Sequence, residues 1–380
     1  MRIALVDSNP KPKVYPLALL KLGAWQRAEG NECKLYHDQL PGAGDFDEIW
    51  ITTTFTYDIP HALGIVREAR NRAGVVKVGG VAASLLPEHF ETDGVQVHRG
   101  LVPEAEAFSP DYTLLGVAPE YSITHTSRGC VRKCKFCMVP KLEPEYQDRL
   151  DWDRDLSSHT TKVLFYDNNW FAKGIEGIRR DTDKMRALVQ AGRITQIDFN
   201  QGLDCRLLTD ELADLLVGLP LNPVRFAFDG MQEDGHYQRA VRAMAARGFT
   251  TFRSYVLYNF NDTPEDYYYR LRQSVELSLE LGVDVESFPM RYQPILEIDA
   301  QRDYVGKHWT EQQKKAVMRI RAVHTVSGGV SPHSLEEFEY WYGSTPQEFV
   351  TLLNYPQIRE LCQKKKGALR MKRARARKDV

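Results

Sequence analysis

The chain has 380 residues, 43% of them hydrophobic and 27% charged, with a formal net charge of −1. That composition is ordinary for a soluble globular protein and gives no global pull toward nucleic acid or an acidic surface. The length exceeds what one small core accommodates and predicts two domains plus an extension.

No apolar run approaches the ~20 residues needed to cross a bilayer. The first ten residues, MRIALVDSNP, carry no long apolar stretch or small-residue cleavage site, so no secretory signal is expected. Six cysteines are too few for a disulfide scaffold, and three of them fall within eight positions. Without an export signal, such a cluster reads as a metal site in the reducing cytoplasm before it reads as disulfides.

In chain order, residues 2–6 (RIALV) read as a short buried strand, 15–29 as a helix and 33–36 as a returning strand. Residues 48–52 (EIWIT) and 75–78 (VVKV) are further strands, separated by a helix over 61–72. This alternation predicts a parallel, doubly wound sheet. Ligands on such sheets sit beyond the carboxyl ends of the strands, here Thr52, Thr53, Thr54, Gly79 and Gly80. The glycine pair reads equally well as a plain tight turn.

A Pro- and Gly-containing stretch over 100–120 reads as a linker. Beyond it, strands are expected at 122–126, 162–166, 196–200, 224–228, 252–258 and 284–289, with helical segments between them. Six such βα units make a partial barrel, short of eight. Thr209 is placed to cap one helix, and Thr263-Pro264-Glu265-Asp266 supplies a cap, a first-turn proline and acids at the start of another.

After about residue 330 come Phe338, Tyr340, Trp341 and Tyr342, a helix over 346–354 and a basic tail. Residues 364–378 hold nine Lys or Arg and no acid. The expected segments are therefore 1–115, 116–330 and 331–380. The tail reads either as a tract following a nucleic-acid backbone or as a solvated end. Trp341 and Tyr342 could stack on bases, but packing of the extension onto the barrel is the favoured reading.

Cys130-Val-Arg-Lys-Cys134-Lys-Phe-Cys137 is a C-x3-C-x2-C spacing. Three thiolates on one loop can converge on three irons of a cubane cluster and leave the fourth open to a small molecule. Gly129 favours the tight turn before them. A zinc site with His125 as fourth ligand competes, as does a chance grouping, although the usual paired C-x2-C knuckles are missing.

Cys-x3-Cys-x-aromatic-Cys, with Phe136 in the aromatic place, resembles the signature of the radical S-adenosylmethionine superfamily. Its place after a first strand, opening a partial βα barrel, is where that family has it. CKFCMVPKLE (134–143), DNNW (167–170), PMRYQP (289–294) and VGGVAASLLPE (78–88) resemble the subgroup whose N-terminal domain is cobalamin-binding-like. The similarity covers about residues 1–330. It implies an α/β chain: an N-terminal Rossmann-like parallel sheet, a partial (βα)6 radical-SAM barrel and a C-terminal helical extension.

The resemblance also implies chemistry. Cys130, Cys134 and Cys137 would hold a [4Fe–4S] cluster whose open iron chelates S-adenosylmethionine. Reductive cleavage by one electron, from a donor such as flavodoxin or ferredoxin, would release a 5′-deoxyadenosyl radical that abstracts hydrogen from a substrate. Phe136 would lie near the adenine or shield the cluster. Asp167, Asn168 and Asn169 would accept from the methionine ammonium, or else make the turn at a strand end. Asn200, Gln201 and Arg206 crowd the next strand end, where Arg206 could pair with the methionine carboxylate. Asp229, Asn259 and Arg291 follow later strands as further candidates against solvated loops.

Cys33 and Cys362 read as packing or plain thiols, and Cys205 as a buried cysteine at the barrel mouth. Their scatter counts against a methylthiotransferase, whose N-terminal domain would bring its own cluster cysteines. The Asp-x-His-x-x-Gly motif of cobalamin-dependent members is missing, since His37 and His61 lack its spacing. Cobalamin is therefore open but not favoured, and hydrogen abstraction from a nucleobase, nucleic acid, peptide or small metabolite leads. Cobalamin-dependent methyl transfer is the alternative, and a zinc-stabilised nucleic-acid-binding protein is the rival of another class.

Overall fold

The computed structural model describes residues 1–11, 14–298, 300–324, 332 and 334–376. The chain folds into two compact units. The first comprises Met1–Asn168, Ala187–Gln196 and Pro294–Arg302, and the second Asn169–Arg186, Ile197–Gln293 and Asp303–Val380.

The first unit opens with β1 (Arg2–Asp7), α1 (Leu17–Ala28), β2 (Glu32–His37), β3 (Glu48–Thr52), α2 (Ile59–Ala69), β4 (Val75–Gly79), α3 (Val81–Leu85) and β5 (Val95–Val97). The strands form one parallel sheet in the order β2-β1-β3-β4-β5. Near-continuous apolar runs such as IALV suit strands covered on both faces. One face buries Ala4, Val6, Ile49, Ile51, Val76 and Val78 under α2 and α3. The other buries Ile3, Leu5 and Trp50 with Leu19 and Leu20 of α1. Cys33 lies in this second core, as its apolar surroundings predicted. The short strand β5 gave no signal in the sequence.

The stretch read as a linker is packed structure instead. It contains α4 (Pro103–Glu106) and a 3-10 turn at Tyr112–Leu115. Tyr112 and Leu114 are buried against the sheet. A Cβ on Gly23 of α1 would come within 2.3 Å of Leu114 Cδ1, so the two segments meet as closely as backbone allows. Pro and Gly mark turns, but apolar residues between them can still be buried, and here they are.

The first unit continues into β6 (Ser122–Thr124), β7 (Ser127–Arg128), α5 (Val139–Leu142), β8 (Gln147–Asp148) and β9 (Lys162–Phe165). Strands β6 and β9 pair in parallel. This unit extends well past residue 115 because α3 packs on α5 and Tyr112 Oη accepts from Ile123 N at 2.8 Å.

The second unit holds α6 (Gly174–Gln190, its last turn excepted), β10 (Gln196–Phe199), α7 (Asp210–Leu216), β11 (Val224–Ala227), α8 (His236–Ala245), β12 (Thr251–Tyr258), α9 (Pro264–Leu281) and β13 (Asp284–Arg291). Strands β11, β12 and β13 are parallel neighbours. All six strands expected after residue 120 occur, alternating with helices as their spacing requires. The helix starts also match. Thr209 Oγ1 accepts from Leu212 N at 3.2 Å, and Thr263 with Asp266 forms a reciprocal capping box.

The extension is helical: α10 (Glu311–His324), α11 (Leu335–Tyr342), α12 (Pro346–Leu353) and α13 (Ile358–Ala376). Phe338, Trp341, Tyr342, Phe349 and Cys362 are buried in one core with Val256, Tyr267 and Tyr268 of β12 and α9. Trp341 and Tyr342 are thus packing residues with no face left for a base. The basic tail enters α13 rather than remaining a solvated coil. Its Lys365 donates to Tyr340 O while Tyr340 Oη donates back to Lys365 O. The tail's end, 377–380, lies outside the described residues. Among the described residues, no helix is long and apolar enough to cross a membrane.

Candidate active site

Strands β7 and β8 pair antiparallel, Ser127 against Asp148 and Arg128 against Gln147, and so close a loop over 129–146. Gly129 opens it at φ +76, and a Cβ there would lie 2.2 Å from Glu145 O. Only glycine fits this start. Arg132 N donates to Cys130 Sγ at 3.3 Å, and Cys137 N to Cys134 O at 3.1 Å. The three cysteines and Phe136 are half-buried on this loop.

Among the described residues, no three His, Cys, Asp or Glu side chains stand together in metal-holding geometry. The fit to a cluster therefore rests on the donor set. Three thiols share one closed loop, an N–H already points at a sulfur, and Arg132, Lys133 and Lys135 complement an anionic group there. His125 is buried, and burial, with Arg128, Lys21 and Arg149 nearby, holds its basicity well below the usual histidine range. Nothing in the geometry makes it a fourth zinc ligand.

Asp167 is buried and bonded within the first unit. Its carboxylate accepts from Thr126 N at 3.1 and 3.0 Å, Thr126 Oγ1 at 2.7 Å and Ser127 Oγ at 2.6 Å. It ties the end of β9 to the segment leading into the cysteine loop. Asn168 Nδ2 donates to Glu143 Oε2 at 2.6 Å. Asn169, buried in the second unit, donates to Asp204 Oδ2 at 3.3 Å.

The first unit also encloses a cavity of about 620 Å³ beyond the carboxyl ends of β3 and β4. Thr52, Gly79 and Gly80 line it, as the sheet topology predicts. Gly80 has φ +96, and a Cβ there would meet Thr52 Oγ1 at 2.5 Å and Thr53 O at 2.6 Å, so glycine is required at this position. Thr53 Oγ1 is buried nearby with no hydrogen-bond partner among the described residues. His37 and His61 face Asp7 and Asp38 and take no part in the cavity, whose one lining histidine is His98.

Four charged residues missed in the sequence join this cavity to the cysteine loop. Buried Lys21 donates to Glu106 Oε2 at 2.9 Å, and Arg128 forks between Glu106 Oε2 at 3.1 Å and Glu143 Oε1 at 2.8 Å. Glu143 Oε2 in turn accepts from Gly129 N at 3.0 Å. All four line the cavity. Burial alone would raise the Glu106 carboxyl; Arg128 and Lys21 outweigh it and hold the group below its usual range. Glu143 lies inside the CKFCMVPKLE motif, but no spacing rule marks it as the partner of Arg128, Gly129 and Asn168, 14 to 25 positions away.

In the second unit the strand ends carry the remaining candidates. Arg206 is held by Asp204 through two nitrogens, at 2.7 and 3.1 Å, and reaches Glu233 Oε1 at 3.1 Å. Its expected pairing with a methionine carboxylate would have to displace these acids. Asn200 O accepts from Tyr255 Oη at 2.7 Å, and Gln201 is exposed. Asp229, half-buried at the end of β11, accepts from Leu257 N at 3.2 Å. Burial first, and then the Glu233 charge, push its carboxyl up to about 7.

Asn259 is fully buried at φ +67, with its amide spent on Tyr304 O at 3.1 Å and Gly306 N at 2.8 Å. It fixes a loop through these two bonds. Arg291 is half-buried at the end of β13. Cys205 is buried, its Sγ donating to Ala227 O at 3.7 Å and its thiol pushed up to about 12 by burial. The buried reading of this cysteine holds.

Solved structures with this architecture bear on the fold. The chain aligns with the radical S-adenosylmethionine methyltransferase TsrM from Kitasatospora setae, solved with cobalamin and a [4Fe-4S] cluster bound. The TM-score is 0.58 at 15% identity, covering 83% of this chain and 78% of that one. A second TsrM structure, with tryptophan substrate and the SAM analogue aza-SAM, gives 0.57 at 15% identity over 79% and 75%. Ribosomal protein uS12 methylthiotransferase RimO from two strains of Stenotrophomonas maltophilia is 26% identical over 133 residues. That match covers 30% of this chain and 29% of RimO, so the chain spans under a third of those curated relatives. No protein-family model matches. By fold, the chain is similar to these radical S-adenosylmethionine methyltransferase structures over about four fifths of its length.

Proposed function

We propose that this chain is a cobalamin-dependent radical S-adenosylmethionine methyltransferase acting on an unidentified substrate. Hydrogen abstraction without cobalamin, the leading expectation from sequence, gives way to what was its alternative. The observation that carries the change is the cavity at the carboxyl edge of the N-terminal sheet, walled on one side by Arg128 and Glu143 of the cysteine-loop segment. A TsrM neighbour holds both cobalamin and a [4Fe-4S] cluster in the same fold.

Each residue then has a task. Cys130, Cys134 and Cys137 ligate the cluster, and Phe136 shields it or contacts the adenine. Gly79 and Gly80 let a large planar ring approach the backbone, and the Thr53 hydroxyl offers a buried polar contact. Cobalamin and S-adenosylmethionine, when bound, supply the methyl group and its carrier, with electrons from a low-potential donor such as flavodoxin or ferredoxin. Asn169, Asn200, Gln201 and Arg291 remain the candidate S-adenosylmethionine contacts. Asp229, with its raised carboxyl, is suited to hold or receive a proton near neutral pH.

Methylthio transfer, suggested by the RimO similarity, lacks a second cysteine set. Cys33, Cys205 and Cys362 are each buried in packed surroundings. A nucleic-acid substrate loses the stacking argument from Trp341 and Tyr342 and retains only the basic tail.

Anaerobic reconstitution with iron, sulfide and hydroxocobalamin, followed by reduction with dithionite or titanium(III) citrate and addition of S-adenosylmethionine, tests the proposal, with a Cys134→Ala control. The reading predicts retained cobalamin and transfer of the S-adenosylmethionine methyl group to it. A loaded cluster that makes 5′-deoxyadenosine without retaining cobalamin would restore hydrogen abstraction.

A further inference from the structure

The charged rail in the first unit has two ends of different character. At one end Lys21 and Glu106 belong to α1 and α4 of the cobalamin-binding-like domain. At the other, Glu143 holds the backbone N–H of Gly129, the residue before Cys130, and the amide of Asn168. Arg128 joins the ends by gripping Glu106 and Glu143 with separate nitrogens. Every member lines the cavity, so a molecule filling it rests on the rail. Helix α5, the last part of the motif segment, also packs directly on α3, which follows Gly80.

From this juxtaposition we infer that Glu143 and Arg128 are positioning residues that make the set of the cysteine loop depend on occupation of the cavity by the corrinoid. The inference rests on the cobalamin reading above. A planar guanidinium bridging two carboxylates has fixed geometry, so displacing Glu106 by a ligand contact moves Arg128 and, through it, Glu143. Glu143 holds Gly129 N at 3.0 Å, and Gly129 is bonded directly to Cys130, so a shift of Glu143 acts at the start of the cysteine loop. On this inference the shift reaches the first cysteine.

Hydrogen–deuterium exchange of the peptide covering 129–146, on cluster-loaded protein with and without hydroxocobalamin, reads this coupling directly. Wild type should retain cobalamin and exchange this peptide several-fold more slowly when it is bound. Glu143→Gln replaces an oxygen facing donors by an NH2 group. It should keep iron and cobalamin but lose the cobalamin-dependent slowing. Arg128→Lys leaves the Glu143–Gly129 bond in place and removes only the fork, so it should lose the slowing too. It decides the matter alone if Glu143→Gln does not fold.

A purely structural Glu143 would speed exchange with and without cobalamin and leave the difference intact, which would overturn the inference. So would wild type that binds cobalamin with no change at 129–146. Wild type that retains a cluster but no cobalamin would instead overturn the cofactor reading, and this inference with it.

Discussion

Ser127 Oγ donates to Asp167 Oδ1 at 2.6 Å, so the residue ending β9's polar turn fastens the strand that leads into the cysteine loop. Thr126 adds its backbone N–H and its hydroxyl to the same carboxylate. An Asp167→Asn variant keeps one acceptor oxygen and places an NH2 group against these donors. Hydrogen bonds to a charged group contribute about 1.5–3 kcal/mol each. The expected result is a lower melting temperature together with poorer iron retention after reconstitution, read by scanning calorimetry and iron analysis. Unchanged stability with abolished S-adenosylmethionine binding would instead restore Asp167 to the cofactor role.

Gly129→Ala should be more selective. A non-glycine residue at positive φ costs roughly 1–2 kcal/mol, and the added Cβ meets Glu145 O at 2.2 Å. The variant should fold with near-native far-ultraviolet circular dichroism, because both apolar cores of the first unit lie elsewhere. It should hold much less iron than wild type after identical reconstitution.

Asp229 makes stability depend on pH in a defined direction. Its folded carboxyl is raised to about 7 against an ordinary value of 3.8. Between these values the folded state keeps a proton that the unfolded state has released. The contribution is thus fully present below 3.8 and is lost as pH rises through about 7. Urea midpoints at pH 4.5 and 8 in wild type and Asp229→Asn should therefore differ in slope, the variant losing less stability toward alkaline pH.

Arg270 is fully buried and donates to Phe228 O, Leu257 O and Asp262 Oδ2 at 2.9, 2.7 and 2.6 Å. It clamps the carboxyl ends of β11 and β12 beside Asp229. Arg270→Met would remove this donor from two carbonyls and leave the buried Asp262 carboxylate without its cation, although Phe260 N still donates to it. Removing one partner of a buried charge pair costs about 3–5 kcal/mol. A large drop in the unfolding midpoint is expected, and Asp262→Asn should bring a smaller one.

The repeating elements were legible because they obey local periodicity. The strands at 48–52, 162–165, 196–199 and 224–227 fall where short stretches carrying Val, Ile, Leu, Phe or Trp stand between polar segments. The caps at Thr209 and Thr263 were legible for the same reason, since a cap and its N–H partner are three residues apart. The cysteine motif was readable because a loop ligand set is contiguous. The roles of Asp167, Arg206 and Asn259 were not. Each lies where the sequence pattern puts it, but its partners are Ser127, Glu233 and Gly306, 27 to 47 positions away.

Sequence alone thus determined the order of elements, the motif that names the fold and the glycines its turns require, because these depend on neighbours along the chain. Tertiary structure decided which polar groups are already satisfied within the protein. It turned a supposed linker into buried packing at Tyr112 and Leu114 and made Trp341 and Tyr342 core residues. It also set Lys21, Glu106, Arg128 and Glu143 in one line beside a cavity. A buried charge must find its partner in space, and no periodicity of the chain records which distant segment brings it.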